Sequence, residues 1–282
     1  MKVQPGRPER SLAQPGLHPL RWLTVLMLAL LAAAATTAAE KPVLVIIIDD
    51  IGYELEPGKL AVDLPGKVNL AILPHTPHGK ALASAGLAAG KEIMLHAPMD
   101  NRRHMPLGGG ALTTGMTEAE LRRTLAESIE NTPGIRGINN HMGSLLTARR
   151  EPMEWIMKEL AARGLYFVDS RTTVQTVAAS VAGDYGIPHL SRHVFLDNQQ
   201  DGTAVHYQFK AALKKARQNG LAIAIGHPHE VTLKYLRRQL PRLERQGYEL
   251  ALVSEVLARQ SARKPALASN KVVVRSPAAA QD

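Results

Sequence analysis

Short, unbroken apolar runs alternate with stretches of helical period along the middle of the chain, and that rhythm predicts the architecture. Val43-Leu44-Val45-Ile46-Ile47-Ile48 is β-branched and never alternates with polar residues, as a strand buried on both faces should be. Further strands are expected at 69–73, 92–95, 135–139, 166–169, 193–196, 221–225 and 248–253. Amphipathic helices lie between them. Thr117-Glu118-Ala119-Glu120 is a capping box, with Met116 placed to staple onto Leu121 and apolar positions continuing at Leu125 and Ile129. Met153, Ile156, Met157 and Leu160 form a second apolar stripe closed by Gly164, and Val205, Phe209, Ala212, Leu213 and Ala216 form a third, ending before Gly220. No sequence repeat is visible. Strand followed by helix, repeated through the chain, predicts an α/β fold. Without a dinucleotide fingerprint after the first strand, a deformed (β/α) barrel of about seven mostly parallel strands is favoured over an open doubly wound sheet.

The ends of the chain read differently from its middle. Residues 1–21 are polar and carry arginines; an apolar run from Trp22 to Ala35 follows, then the small residues Thr36, Thr37, Ala38 and Ala39. That is the order of a secretory signal, and the run is short for a membrane span of about 20 residues. Residues 1–39 are therefore expected to be a signal peptide or an uncleaved N-terminal anchor, which would export the rest of the chain to the periplasm or cell envelope. Residues 40–258 are expected to form the barrel, and 259–282, rich in Ala, Ser, Lys, Arg and Pro, a solvated basic tail.

Composition and charge narrow the possibilities. The chain has 282 residues, 45% of them hydrophobic, which is ample for a core. Its net charge of +9 suggests a polyanion partner until it is apportioned. Residues 1–39 contribute +3 and residues 259–282 contribute +4, leaving +2 for the barrel, so no nucleic-acid partner is expected. The absence of cysteine excludes disulfides, thiol nucleophiles and thiolate metal sites, so any metal must be held by His, Asp or Glu.

Candidate chemistry collects where such folds place it, at the carboxyl ends of the strands. The expected strands end in Asp49-Asp50, His96-Ala97-Pro98-Met99-Asp100, Asn139-Asn140-His141, Asp169-Ser170-Arg171, Asp197-Asn198 and Gly226-His227-Pro228-His229. One such Asp alone would read as a helix cap; six endings on one rim read as a site. Adjacent carboxylates repel unless a cation or a proton divides their roles, so Asp49 and Asp50 suggest a base beside a metal ligand. Strand alternation would point the two in different directions. Two imidazoles and one carboxylate would give the open, three-ligand set of a catalytic zinc. Asp169 and Arg171, two apart, could brace the site or form an ion pair, and His229 could cap a helix or touch substrate. Gly108-Gly109-Gly110 lacks the lysine and serine of a phosphate loop and reads as a hinge over the site.

Taken together, Ile48-Asp49-Asp50-Ile51-Gly52, His96-Ala97-Pro98-Met99, Asn139-Asn140-His141-Met142-Gly143-Ser144, Asp169-Ser170-Arg171-Thr172 and Gly226-His227-Pro228 resemble the divergent polysaccharide deacetylase family, related to the polysaccharide deacetylases of carbohydrate esterase family 4. The resemblance covers roughly residues 41–257. It implies a deformed barrel and metal-dependent removal of acetyl groups from amino sugars in an envelope polysaccharide, of the peptidoglycan or poly-N-acetylglucosamine class. It also implies Asp49 as general base, His227 as general acid, and Asp50, His96 and His141 as ligands of a divalent metal, zinc by preference. His96 and Asp100 stand where the related family has a pair of metal histidines, so Asp100 is the rival to His141 as third ligand. Asp100, Asn140, Asp169, Arg171 and His229 are the candidates for supporting or substrate contacts. Two other functions fit the same residues: a non-catalytic barrel binding glycan or protein, and a glycoside hydrolase using Asp49 and Asp169.

Overall fold

A computed structural model describes Met1 and residues 40–269. The expected export segment and residues 270–282 of the expected tail lie outside the described residues.

The chain alternates as its pattern predicts. β1 (Val43–Ile51), α1 (Leu55–Val62), β2 (Asn69–Ile72), α2 (Gly79–Ala88), β3 (Glu92–Met99), α3 (Glu118–Asn131), β4 (Ile135–Met142), α4 (Arg150–Arg163), β5 (Tyr166–Asp169) and α5 (Ala178–Asp184) make the first half. β6 (His189–Ser191), β7 (Val194–Phe195), α6 (Gly202–Asn219), β8 (Leu221–Gly226), α7 (Glu230–Gln239), β9 (Glu249–Leu250) and α8 (Val253–Ser269) complete it. The capping box at Thr117 and Glu120 forms, and Gly164 and Gly220 end α4 and α6 in the left-handed conformation.

All paired strands are parallel, in the order β6-β5-β4-β3-β2-β1-β8-β7, with β9 added beside β1. The two outermost strands of that path, β6 and β7, are separated in sequence only by Arg192 and His193. Arg192 N donates to Asp169 O on β5, and His193 N donates to Ile223 O on β8. Two residues therefore bridge the two edges of the sheet, so the sheet curls round into a barrel that is closed by chain rather than by strand pairing. The barrel expectation holds. The expected strand at 193–196 is a two-residue β7 preceded by the unforeseen β6, and the expected strand at 248–253 stops at Leu250, because α8 begins at Val253.

Side-chain alternation divides the core into an inner and outer layers. Leu44, Ile46 and Ile48 pack with helix residues such as Phe209 and Leu213, whereas Val45, Ile47, Met94, Val168, Ile223 and Ile225 pack with one another inside the barrel. Ala251, just before α8, and Val253, Val256 and Leu257, at its start, join that inner layer and plug the amino end of the barrel. α8 then continues to Ser269, eleven residues past the boundary expected at 258, so this part of the expected tail is helical.

Candidate active site and metal centre

The inner layer carries the site at its other end. Continuing the alternation Val45, Ile47 on β1 brings Asp49 to the inner face; Met94 is followed by His96 on β3, Gly137 by Asn139 and His141 on β4, and Ile225 by His227 just past β8. Parallel register aligns Ile48 with Gly226, and His96 with Asn139. Four strands thus deliver their polar ends to one mouth.

Asp50 should point away from that mouth, and it does not. The β1–β2 register shifts between Ile48 and Ile51, and Asp50 takes φ 58°. A left-handed residue without glycine's freedom costs on the order of 1 kcal/mol or more. Here it turns Asp50 into the company of Asp49. Gly52 follows at φ 139°, with Thr76 Oγ1 where a Cβ would sit, so the turn tolerates no side chain there.

Three ligand atoms converge as a result. Asp50 Oδ1 lies 2.8 Å from His141 Nδ1 and 3.1 Å from His96 Nε2, and the two nitrogens are 3.1 Å apart. Asp50 Oδ1 is buried, yet no hydrogen bond of acceptable alignment reaches it. Two imidazole nitrogens and an orphaned carboxylate oxygen facing one point fit a divalent cation; tetrahedral zinc, with bonds of about 2.0–2.1 Å, would hold such atoms roughly 3.3 Å apart. Burial opposes the charge on Asp50, but the contacts to His141 and His96 outweigh it and hold its carboxyl well below the usual range.

Asp49 and His227 flank this cluster. Asp49 is fully enclosed; its Oδ1 accepts from Asn139 Nδ2 at 2.7 Å and its Oδ2 lies 3.6 Å from His96 Nε2. Burial raises its pKa, against the opposing pull of His96 and His227. His227 stacks on Phe195 and pairs through Nδ1 with Asp197 Oδ1 at 2.9 Å, leaving Nε2 3.9 Å from Asp50 Oδ2. Asp197 is itself held by the His227 backbone N–H and the Thr232 hydroxyl, each at 2.7 Å. Burial would strip the proton from His227, but Asp197, Asp49 and Asp50 push its pKa up to about 9. A cleft of about 670 Å³ opens over these groups, walled by Tyr53, residues 106–108 and His229.

The supporting candidates fall elsewhere. Asp100 Oδ2 accepts from the Thr114 N–H and hydroxyl at 2.7 and 3.0 Å, so it fastens the loop before α3 and is not among the converging ligand atoms. Asn140 joins two loops, accepting from Ser170 N and donating to Met142 O. Asp169 continues the outward alternation of Phe167 and spends its oxygens on Arg171 N and Thr176 Oγ1. It therefore organises its own turn and makes no ion pair with the exposed Arg171 guanidinium among the described residues. His229 occupies the cap position of α7 without a cap hydrogen bond and meets Gln200 instead. A Cβ on Gly108, Gly109 or Gly110 would press within 3 Å of Tyr53, His75 and Ser128 respectively, so these glycines let the loop pack closely against its neighbours. Two residues that hold the site, Asn139 and Asp197, carry no role in the sequence reading.

A curled parallel barrel with carboxylates and imidazoles gathered at its carboxyl mouth defines a class of protein. A family model for divergent polysaccharide deacetylases matches residues 46–257, and the chain belongs to that family. Among curated proteins it is 36% identical over 196 residues to the uncharacterized protein YibQ of Escherichia coli K12, covering 70% of this chain and 61% of YibQ. An uncharacterized protein of Haemophilus influenzae Rd is also 36% identical over 196 residues, 70% of each chain. The chain thus spans less than two thirds of YibQ. Among solved structures, an uncharacterized protein of Agrobacterium tumefaciens C58 shares the fold with a TM-score of 0.75 and 21% identity, over 78% of this chain and 91% of that one.

Proposed function

We propose that this protein is an exported, metal-dependent hydrolase that removes N-acetyl groups from amino sugars of an envelope polysaccharide, of the peptidoglycan or β-linked poly-N-acetylglucosamine class. The observation that carries this reading is the convergence of Asp50 Oδ1, His96 Nε2 and His141 Nδ1 beside two differently tuned proton carriers, Asp49 and His227. A divalent ion held by those three residues, zinc by the nitrogen-rich donor set, would supply Lewis-acid polarisation of the acetamide carbonyl and acidify water. Asp49, with Oδ2 turned to the cluster, takes the proton from the attacking water. His227, charged and facing the cleft through Nε2, gives its proton to the departing amine as the C–N bond breaks, so acetate and a free amino sugar leave. Export rests on the charged, apolar and small-residue order of residues 1–39.

The zinc-loaded protein should release acetate from at least one of N-acetylglucosamine oligomers, poly-N-acetylglucosamine and peptidoglycan. A chain binding one zinc and releasing none would overturn the enzyme reading in favour of a glycan- or protein-binding barrel. His141→Ala should lose stoichiometric zinc while Asp100→Ala keeps it; the reverse result would reassign the third ligand. Residues 1–45 fused to a reporter active only outside the cytoplasm should give signal, and a stable, silent fusion would refute export.

A further inference from the structure

Asn139 lies between the proposed metal centre and the proposed base. It is fully buried on β4, level with His96 across the β3–β4 ladder. Its Oδ1 is 2.7 Å from His96 Nδ1; its Nδ2 is 2.7 Å from Asp49 Oδ1 and 3.4 Å from Ser170 Oγ. The orientation of the amide follows from its neighbours. An ionised carboxylate only accepts, so the NH₂ end must face Asp49, and the carbonyl oxygen, which also only accepts, is left for His96. In its neutral, metal-binding form His96 must then carry its proton on Nδ1. Its Nε2 lone pair is thereby presented to the point shared with Asp50 and His141.

We propose that Asn139 is a positioning residue that couples the two functions: it fixes the metal-binding tautomer of His96 and, with the same amide, the orientation of Asp49. The second half rests on the deacetylase reading; the first does not. The chemistry selects this residue type closely. An Asp at 139 would satisfy His96 equally well but set a second carboxylate against Asp49, whereas an Ala would leave both partners unheld. The two roles are therefore separable by substitution.

The test uses the full chain and three readouts: zinc affinity by competition with a chromophoric chelator, the His96 tautomer by ¹⁵N NMR of the metal-free protein at a pH where that imidazole is neutral, and kcat for acetate release. Asn139→Asp should keep the Nδ1–H tautomer and hold zinc affinity within about threefold, since carboxylate–histidine pairs support metal ligands. It should lower kcat by about 10²–10⁴-fold, the usual worth of a general base, with little change in KM. Asn139→Ala should lose both, with zinc binding weakened by about 10–100-fold and both tautomers of His96 populated. If the Ala variant does not fold, Asn139→Ser, too short to span both partners, takes its place. Equal zinc affinities in the Asp and Ala variants, or a wild-type tautomer in the Ala variant, would overturn the proposal. Absence of acetate release from the wild type would count against the deacetylase reading, leaving the zinc and tautomer measurements to judge Asn139.

Discussion

A buried imidazole would ordinarily shed its proton, and His227 keeps its own chiefly because Asp197 faces Nδ1. As the proposed general acid, His227 would work only while protonated, so turnover should fall as pH rises through its pKa, pushed up to about 9. Asp49, the proposed base, would work only while ionised, and burial raises its pKa, so turnover should also fall toward acid. The resulting bell belongs to the coupled site. Asp197→Asn removes the negative partner, which should bring His227 down toward the ordinary value of about 6.5 and draw the alkaline limb to lower pH, leaving the acid limb nearly in place. The measurement is kcat/KM against pH; an alkaline limb that does not move would assign it to another group. The five titratable residues of the site were legible in the sequence because acid–base and metal chemistry have a vocabulary of residue types. Asn139 was not, since a neutral amide has no such signature. Asp197 could be placed at a strand end but not paired, because its partner is thirty residues away. The common orientation of Asp49 and Asp50 was hidden as well, for it depends on the left-handed backbone of Asp50 rather than on alternation.

At the scale of elements, the inner layer is shaped by what one strand leaves open for the next. Gly137 on β4 lies beside Tyr166 on β5 in the parallel register, and a Cβ at 137 would fall 2.1–2.5 Å from the Tyr166 ring. That ring cannot swing aside cheaply, because its hydroxyl donates to the buried Glu92 on β3 at 2.8 Å. Gly137→Ala should therefore overpack the barrel and cost about 1–3 kcal/mol in urea unfolding. Gly115→Ala, where a Cβ meets open space, is the control, expected within about 0.5 kcal/mol of wild type. A midpoint for Gly137→Ala matching that control would show that β4 and β5 can separate. The same fit explains what sequence pattern could and could not show of the elements. Long amphipathic helices impose a period, and runs of about four to six residues mark the longer strands. β6, three residues long, is too short for either signal and was unforeseen, whereas β7 and β9 lie inside the expected strands at 193–196 and 248–253 but are cut to two residues each where the curled sheet is bridged and its floor begins.

For the whole molecule, the mouth that carries the site depends on a floor at the opposite end. α8 enters the barrel with its first N–H groups answered by the strands around it: Val253 N donates to Asn69 Oδ1 and Ser254 N to Glu92 Oε1, both at 3.0 Å, and Ser254 Oγ also meets Glu92. Val253, Val256 and Leu257 then fill the inner layer, after which residues 258–263 are exposed. The apolar period therefore dies at Leu257 while the helix does not, which is why the chain beyond 258 read as a tail. Each large aliphatic side chain buried there contributes about 1.5–3 kcal/mol, and three of them amount to a large share of the roughly 5–15 kcal/mol that holds a domain together. Their loss would also leave the buried Asn69 and Glu92 with acceptors unmet. Ending the chain after Leu250 should accordingly abolish cooperative thermal unfolding and, with it, the proposed zinc binding at the far mouth, whereas ending it after Arg263 should leave the melting curve and any zinc stoichiometry as in the full chain. Circular dichroism melts and metal analysis of the two truncations decide the matter, and a cooperatively melting, zinc-binding chain that stops at 250 would show that the barrel does not need α8 as its floor.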